Sequence, residues 1–108
     1  MKVQYKNRKL QKICTNADVA RKVYGVDMAR KIHQRIDEIS AADTVEMMVQ
    51  FGIGGCHSLK GDRKNQYAMT LVQPYRLVFI KSGREIQVAE VQEIVDYHCA
   101  WRRSEEYV

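Results

Sequence analysis

Two imidazoles lie at the edges of segments whose residues favour strands. His57 lies in Cys56-His57-Ser58-Leu59-Lys60-Gly61-Asp62-Arg63-Lys64, and His98 closes Ile94-Val95-Asp96-Tyr97-His98. Each can take up or release a proton near neutral pH. Between them lies Pro74-Tyr75-Arg76. The Arg76 guanidinium is a planar fork that suits a phosphate. An arginine in an otherwise apolar strand is costly unless it reaches an edge or a partner, so a pairing with Asp96 or a glutamate is the alternative to phosphate. Two titrating groups with cations nearby are the equipment of metal-free RNA cleavage. One group removes the proton of a ribose 2′-hydroxyl, cations stabilise the charge that builds on phosphorus, and an acid protonates the departing 5′-oxygen.

Other chemistries fit less well. Cys56-His57 and His98-Cys99 resemble metal ligands, but a zinc site usually takes pairs separated by two to four residues. Adjacent residues of an extended chain also point to opposite faces, so no metal is expected. Gly52-Ile53-Gly54-Gly55 is not followed by Gly-Lys-Ser/Thr and reads as a flexible connection rather than a phosphate loop. No Ser/His/Asp arrangement is visible, and His33, beside Ile32, has no comparable surroundings.

The elements that would hold these residues divide the chain in two. Leu10 and Ile13 predict a helix over roughly Arg8–Thr15; Asn16 or Asp18 caps a second that Gly25 stops. Asp27 opens a longer helix with Ala29, Ile32, Ile36 and Ile39 at spacings of three and four, ending near Ala41 or Ala42. Asp43-Thr44-Val45-Glu46 resembles a capping box for a short helix through about Gln50. Beyond the glycines, Gln66–Val72 alternates, Tyr75–Ile80 is a dense apolar run, and Arg84–Ala89 and Val91–Tyr97 read as further strand with a bend or bulge between them. Alternation would set Tyr75, Leu77 and Phe79 opposite to Arg76 and Val78. Helices followed by an antiparallel sheet make an α+β domain, with one side or end of the sheet left free for a site.

The net charge of +5 is unevenly spread. In residues 1–38 ten Lys/Arg face four Asp/Glu, and in residues 57–84 six face one, whereas residues 85–108 carry two against six. Basic faces attract polyanions by counterion release, so nucleic acid is the first partner to consider. Nothing approaches the ~18 consecutive apolar residues of a membrane span, so no membrane partner is expected. Three scattered cysteines, Cys14, Cys56 and Cys99, argue for a reduced, cytoplasmic setting rather than a disulfide framework. With no repeat or linker, residues 1–108 are read as one domain.

Three blocks together resemble the HigB-like toxins, or plasmid maintenance system killer proteins, of the RelE/ParE superfamily. His57-Ser58-Leu59-Lys60-Gly61-Asp62-Arg63-Lys64-Asn65-Gln66-Tyr67 is similar to their His-x-Leu-Lys-Gly-Asp-Arg-x-x-Gln-aromatic block. Pro74-Tyr75-Arg76-Leu77-Val78-Phe79 resembles their aromatic-Arg-Ile/Leu-x-Phe strand, and Ile94-Val95-Asp96-Tyr97-His98 their closing Asp-Tyr-His. Ser58 stands where proline is common and Tyr75 where tryptophan is frequent. The tail of residues 99–108 runs past the usual end.

The resemblance implies a RelE-like α+β fold, with N-terminal helices packed on a curved antiparallel β-sheet. It implies the toxin of a type II toxin–antitoxin system, an endoribonuclease that cuts mRNA at the A site of the ribosomal 30S subunit without a cofactor. The implied partner is a HigA-like helix-turn-helix antitoxin. Carried over residue by residue, the active-site positions are His57, Lys60, Arg76, Asp96, Tyr97 and His98. His98 or Asp96 would be the general base, and His57 the acid or a phosphate ligand. Lys60 and Arg76 would hold the phosphate, Tyr97 would stack on or orient a base, and Arg63 and Lys64 would hold the RNA backbone. Two other readings share the fold: a ParE-like gyrase poison that cuts no RNA, and a binding module whose site has decayed.

Overall fold

The structure, a computed structural model, describes residues 1–59, 65–83 and 85–96. Polar caps cut its N-terminal half into helices. The Asn7 side chain accepts from the Leu10 amide at 2.9 Å and opens α1 (Arg8–Thr15), which buries Leu10, Ile13 and Cys14. Asn16 then serves two helices. Its N–H donates to the Lys12 carbonyl at the end of α1, and its side chain accepts from the Asp18 and Val19 amides that begin α2 (Ala17–Tyr24). Gly25, at φ 94°, stops α2 in a backbone conformation that L side chains rarely adopt.

The same glycine precedes α3 (Val26–Ala41), so Asp27 lies in that helix's first turn rather than capping it. One face of α3 buries Met28, Ala29, Ile32, Ile36 and Ile39, and Arg35 is buried among them. The last helix, α4 (Val45–Gln50), is capped by Thr44, whose hydroxyl accepts from the Met47 amide at 3.1 Å. Thr44 takes the extended conformation of a cap, which displaces the expected start at Asp43. Glu46, expected to close a capping box, binds Lys81 and Gln87 of the sheet side instead. The glycine-rich stretch is no flexible connection: Ile53–Gly55 forms a 3₁₀ turn docked on α3 and the sheet.

The sheet contains β1 (Lys2–Tyr5), β2 (His57–Ser58), β3 (Gln66–Thr70), β4 (Tyr75–Ser82) and β5 (Val88–Asp96), in the spatial order β1-β5-β4-β3-β2. Four of the strands form the expected antiparallel ladder. The fifth, β1, runs parallel to β5 and makes the sheet mixed. It alternates Val3 and Tyr5, packed against the core, with the exposed Lys2 and Gln4. β3 stops at Thr70 because Leu71–Tyr75 closes a turn, with the Tyr75 amide on the Val72 carbonyl and the Leu71 amide on the Tyr75 carbonyl. β5 begins at Val88, four residues later than the sequence suggests, since Glu85 and Ile86 form an exposed bend.

All four helices pack on one face of the sheet. Ile32, Ile39, Val45 and Met48 meet Met69, Leu77, Phe79 and Val91, each nearly or wholly shut from solvent. Among the described residues the other face carries a small cluster, Leu59, Ala68 and Val78, with Val95 against it. The architecture is α+β, helices on one side of a five-stranded sheet. Among the described residues no helix is long and apolar enough to cross a membrane.

Candidate active site on the open face of the sheet

Residues paired across an antiparallel ladder share a face, so the register identifies which side chains look away from the helices. One row crosses four strands: His57 opposite Ala68, Ala68 opposite Val78, and Val78 opposite Glu93. The next row is Thr70, Arg76 and Val95. His57 and Arg76 therefore lie on the same open face, two strands apart and one row apart. Strand spacing and rise set their backbones about 10 Å apart across the sheet and about 7 Å along it. Leu77 and Phe79 point the other way into the core, and Tyr75 meets Tyr24 of α2 edge to face at 5.5 Å, the alternation expected for β4.

Each of these two groups is held by backbone carbonyls. His57 is half-buried, and its Nδ1 is 3.0 Å from the carbonyl oxygen of Gly55. A carbonyl can only accept, so in the neutral ring Nδ1 carries the hydrogen and Nε2 keeps the lone pair. Proton exchange with a ligand then falls to Nε2. The Arg76 Nη1 donates to the Tyr75 carbonyl at 3.0 Å and to the Gln73 side-chain oxygen at 3.2 Å, which fixes one edge of the fork against the β3–β4 turn.

Asp96 ends β5 opposite Tyr75, whereas Arg76 stands opposite Val95. Backbone alternation thus assigns Asp96 to the face of Tyr75, opposite to that of Arg76. Lys60, Arg63, Lys64, Tyr97 and His98 lie outside the described residues.

The metal alternative loses its first pair of ligands to this geometry. Cys56 is buried in the helix-side core while His57 lies on the opposite face. Burial pushes the thiols of Cys14 and Cys56 up to about 12, so both remain protonated, without the thiolate that binds metals or attacks electrophiles. Among the described residues no three His, Cys, Asp or Glu side chains gather in a metal-binding group.

The bend or bulge expected in the last strand is present, but two of the structure's features were not anticipated. Glu90, opposite Ile80, and Glu93, opposite Val78, both stand on the open face although they are three positions apart. In a regular strand an odd spacing points side chains opposite ways. The register shift opposite Val78 and Phe79 inserts Gln92 as an extra residue and restores a common face. The signal was the repeated spacing of three, Glu90 to Glu93 and, on the core side, Val91 to Ile94. The second feature is Arg35, one cation among the ten of the basic N-terminal block, which lies buried under the glycine turn that precedes His57.

No protein-family model and no curated protein matches this chain. Among solved structures it is similar to a YoeB/ParE toxin from Agrobacterium tumefaciens, with a TM-score of 0.60 and 20% sequence identity. The likeness covers 87% of this chain and 95% of that one. At that identity the similarity is one of fold.

Proposed function

We propose that this chain is the toxin of a type II toxin–antitoxin system, a HigB-like endoribonuclease that cuts mRNA in the ribosomal A site. The observation that carries this reading is the shared open face of His57 and Arg76, one a proton carrier and the other a phosphate-binding fork. The two side chains can close around a single phosphodiester. The toxin fold of the structural neighbour and the two basic blocks of the chain support the reading further.

In the proposed reaction, His98 removes the proton of the ribose 2′-hydroxyl in preference to Asp96, which the register turns to the face of Tyr75. The 2′-oxygen then forms a bond to phosphorus as the bond from phosphorus to the 5′-oxygen breaks. Protonated Nε2 of His57 donates its hydrogen to that 5′-oxygen, leaving a 2′,3′-cyclic phosphate and a 5′-hydroxyl. Arg76 and Lys60 stabilise the negative charge on the non-bridging oxygens, where preorganised cations contribute most. Tyr97 stacks on or orients a base, while Arg63 and Lys64 hold the flanking backbone. These side chains supply every proton and counter-charge, so the scheme takes no cofactor. A HigA-like antitoxin is the proposed partner that keeps the activity in check.

The name of the structural neighbour joins YoeB with ParE, which makes a ParE-like gyrase poison the second reading. Induction of the chain in bacteria with mapping of mRNA 5′ ends separates the two. The nuclease predicts new codon-phased cuts that disappear with His57→Ala, Arg76→Ala and His98→Ala. Growth arrest with DNA damage and intact mRNA would overturn it in favour of the poison.

A further inference from the structure

His57 is oriented by a carbonyl, and that carbonyl belongs to a turn that the rest of the molecule clamps. Gly54 and Gly55 both take left-handed backbone conformations, at φ 59° and 68°. A methyl group on Gly54 would come within 2.7 Å of Cε of Met69 and 2.9 Å of Cδ and Nε of Arg35, and one on Gly55 within 3.2 Å of Cγ2 of Thr70. The turn is therefore seated against the side chains of Met69, Arg35 and Thr70 with no room to spare.

Hydrogen bonds complete the clamp. The Thr70 hydroxyl donates to the Gly54 carbonyl at 3.1 Å. Nε of the buried Arg35 donates to the Thr70 carbonyl at 2.6 Å, and its Nη1 donates to a Glu38 carboxylate oxygen at 2.8 Å. The next carbonyl along the turn, that of Gly55, receives Nδ1 of His57. Thr70 is also the direct cross-strand partner of Arg76. One residue thus touches the support of the imidazole on one side and stands beside the guanidinium on the other.

We propose that Thr70, anchored by Arg35, is the positioning residue of the site. It holds the Gly54-Gly55 turn so that the Gly55 carbonyl keeps His57 in the Nδ1–H tautomer, with Nε2 free to exchange a proton with substrate. The catalytic part of this inference rests on the nuclease reading above, whereas the tautomer does not. A ring held in one tautomer and orientation presents the correct nitrogen at every encounter. A ring free to flip divides its time between two nitrogens, only one of which meets the substrate.

Thr70→Val removes the hydroxyl and keeps the shape; Thr70→Ser keeps the hydroxyl. Nitrogen-15 NMR of the His57 ring in the full chain reads the protonated nitrogen directly. The wild type and Thr70→Ser are expected to show Nδ1–H, and Thr70→Val a mixture of both tautomers. An Nε2–H ring in the wild type would overturn the proposal without recourse to any variant, and so would a Thr70→Val spectrum identical to the wild type.

On ribosome-bound mRNA, Thr70→Val should lower the cleavage rate constant by about tenfold to a hundredfold, the range for losing a hydrogen-bonded support of a functional imidazole. KM should stay near the wild-type value and Thr70→Ser should restore the rate. Full activity in Thr70→Val with a disordered tautomer would overturn the positioning role. A wild type that cuts no RNA would defeat the nuclease reading alone, since the spectra still decide whether Thr70 sets the tautomer.

Discussion

Gly54 lies so close to Arg35 that a methyl group on its α-carbon would stand 2.9 Å from both Cδ and Nε of the arginine. Gly52, two residues earlier, has a similar φ of 65°, yet a methyl group there would meet nothing within 4 Å. The pair separates backbone strain from steric exclusion. Gly52→Ala should destabilise the fold by about 1 kcal/mol, the left-handed penalty alone. Gly54→Ala adds displacement of the Met69 methyl, 2.7 Å away, and of a buried guanidinium, and should reach roughly 2–4 kcal/mol. Urea unfolding of both variants checks this, and equal losses would refute the exclusion.

Arg35 is also the buried charge on which the clamp depends. Its guanidinium is satisfied by the Glu38 carboxylate and by the Thr70 carbonyl. Arg35→Met keeps much of the volume but leaves the Thr70 carbonyl without its donor and the partly exposed Glu38 carboxylate with only the Gln34 amide, which should destabilise by about 2 kcal/mol. Glu38→Gln in the same chain removes the orphaned carboxylate charge and should recover part of that loss. A double variant no more stable than Arg35→Met alone would show that the carboxylate is not the penalty.

The acid limb of the stability profile has an identifiable contributor at the α4–sheet contact. Hydrogen bonds from Gln87 and then Lys81 hold the Glu46 carboxyl well below its ordinary value of 4.5, at about 2. A depressed folded value means that the stabilisation is complete above about 4.5 and is lost as the pH falls toward 2. The Glu46 side chain is 58% exposed, so solvent screening limits the effect to about 0.2–1 kcal/mol. Lys81, raised chiefly by its hydrogen bond to Glu46, mirrors this: its contribution is present below the ordinary lysine range and lost as pH rises through the folded value. Glu46→Gln should therefore be less stable than the wild type at pH 7 and indistinguishable from it near pH 2, as followed by urea midpoints.

The caps and the apolar periodicity were legible because they act locally. Asn16 and Gly25 mark boundaries by bonds to residues within four positions, and Leu10 with Ile13 needs only one helical turn to show a face. β1 was not legible because four residues alternate only twice, and its pairing with β5 depends on a strand some 85 residues away. That Arg76 and Val78 oppose Leu77 follows from alternation, but that His57 joins them requires the register of β2 on β3 and of β3 on β4. Arg35 had a signal that composition hid. It falls three residues after Ile32 and one before Ile36, on the core stripe of α3, where a solvated lysine or arginine would not be expected.

The bulge in β5 decides which charges reach the open face. Gln92 is the extra residue, and its side-chain amide donates to the Glu90 carboxylate at 2.8 Å and to the Glu90 carbonyl at 3.2 Å. Gln92→Ala removes those bonds but keeps the extra residue, so it should destabilise by no more than about 1 kcal/mol. Deletion of Gln92 is a different perturbation, because a one-residue slip exchanges the faces of every side chain on one side of it. Either Ala89 and Val91, both fully buried, turn outward while Glu90 enters the core, or Ile94 and Val95 exchange places. The first arrangement buries an unpaired carboxylate, and the second moves Ile94 off the helix-side core and Val95 into it. The deletion should lower stability by about 4 kcal/mol or more, or prevent folding, as measured by circular dichroism and urea titration. A deleted chain that unfolds at the wild-type midpoint would mean that Glu90 and Glu93 do not share a face.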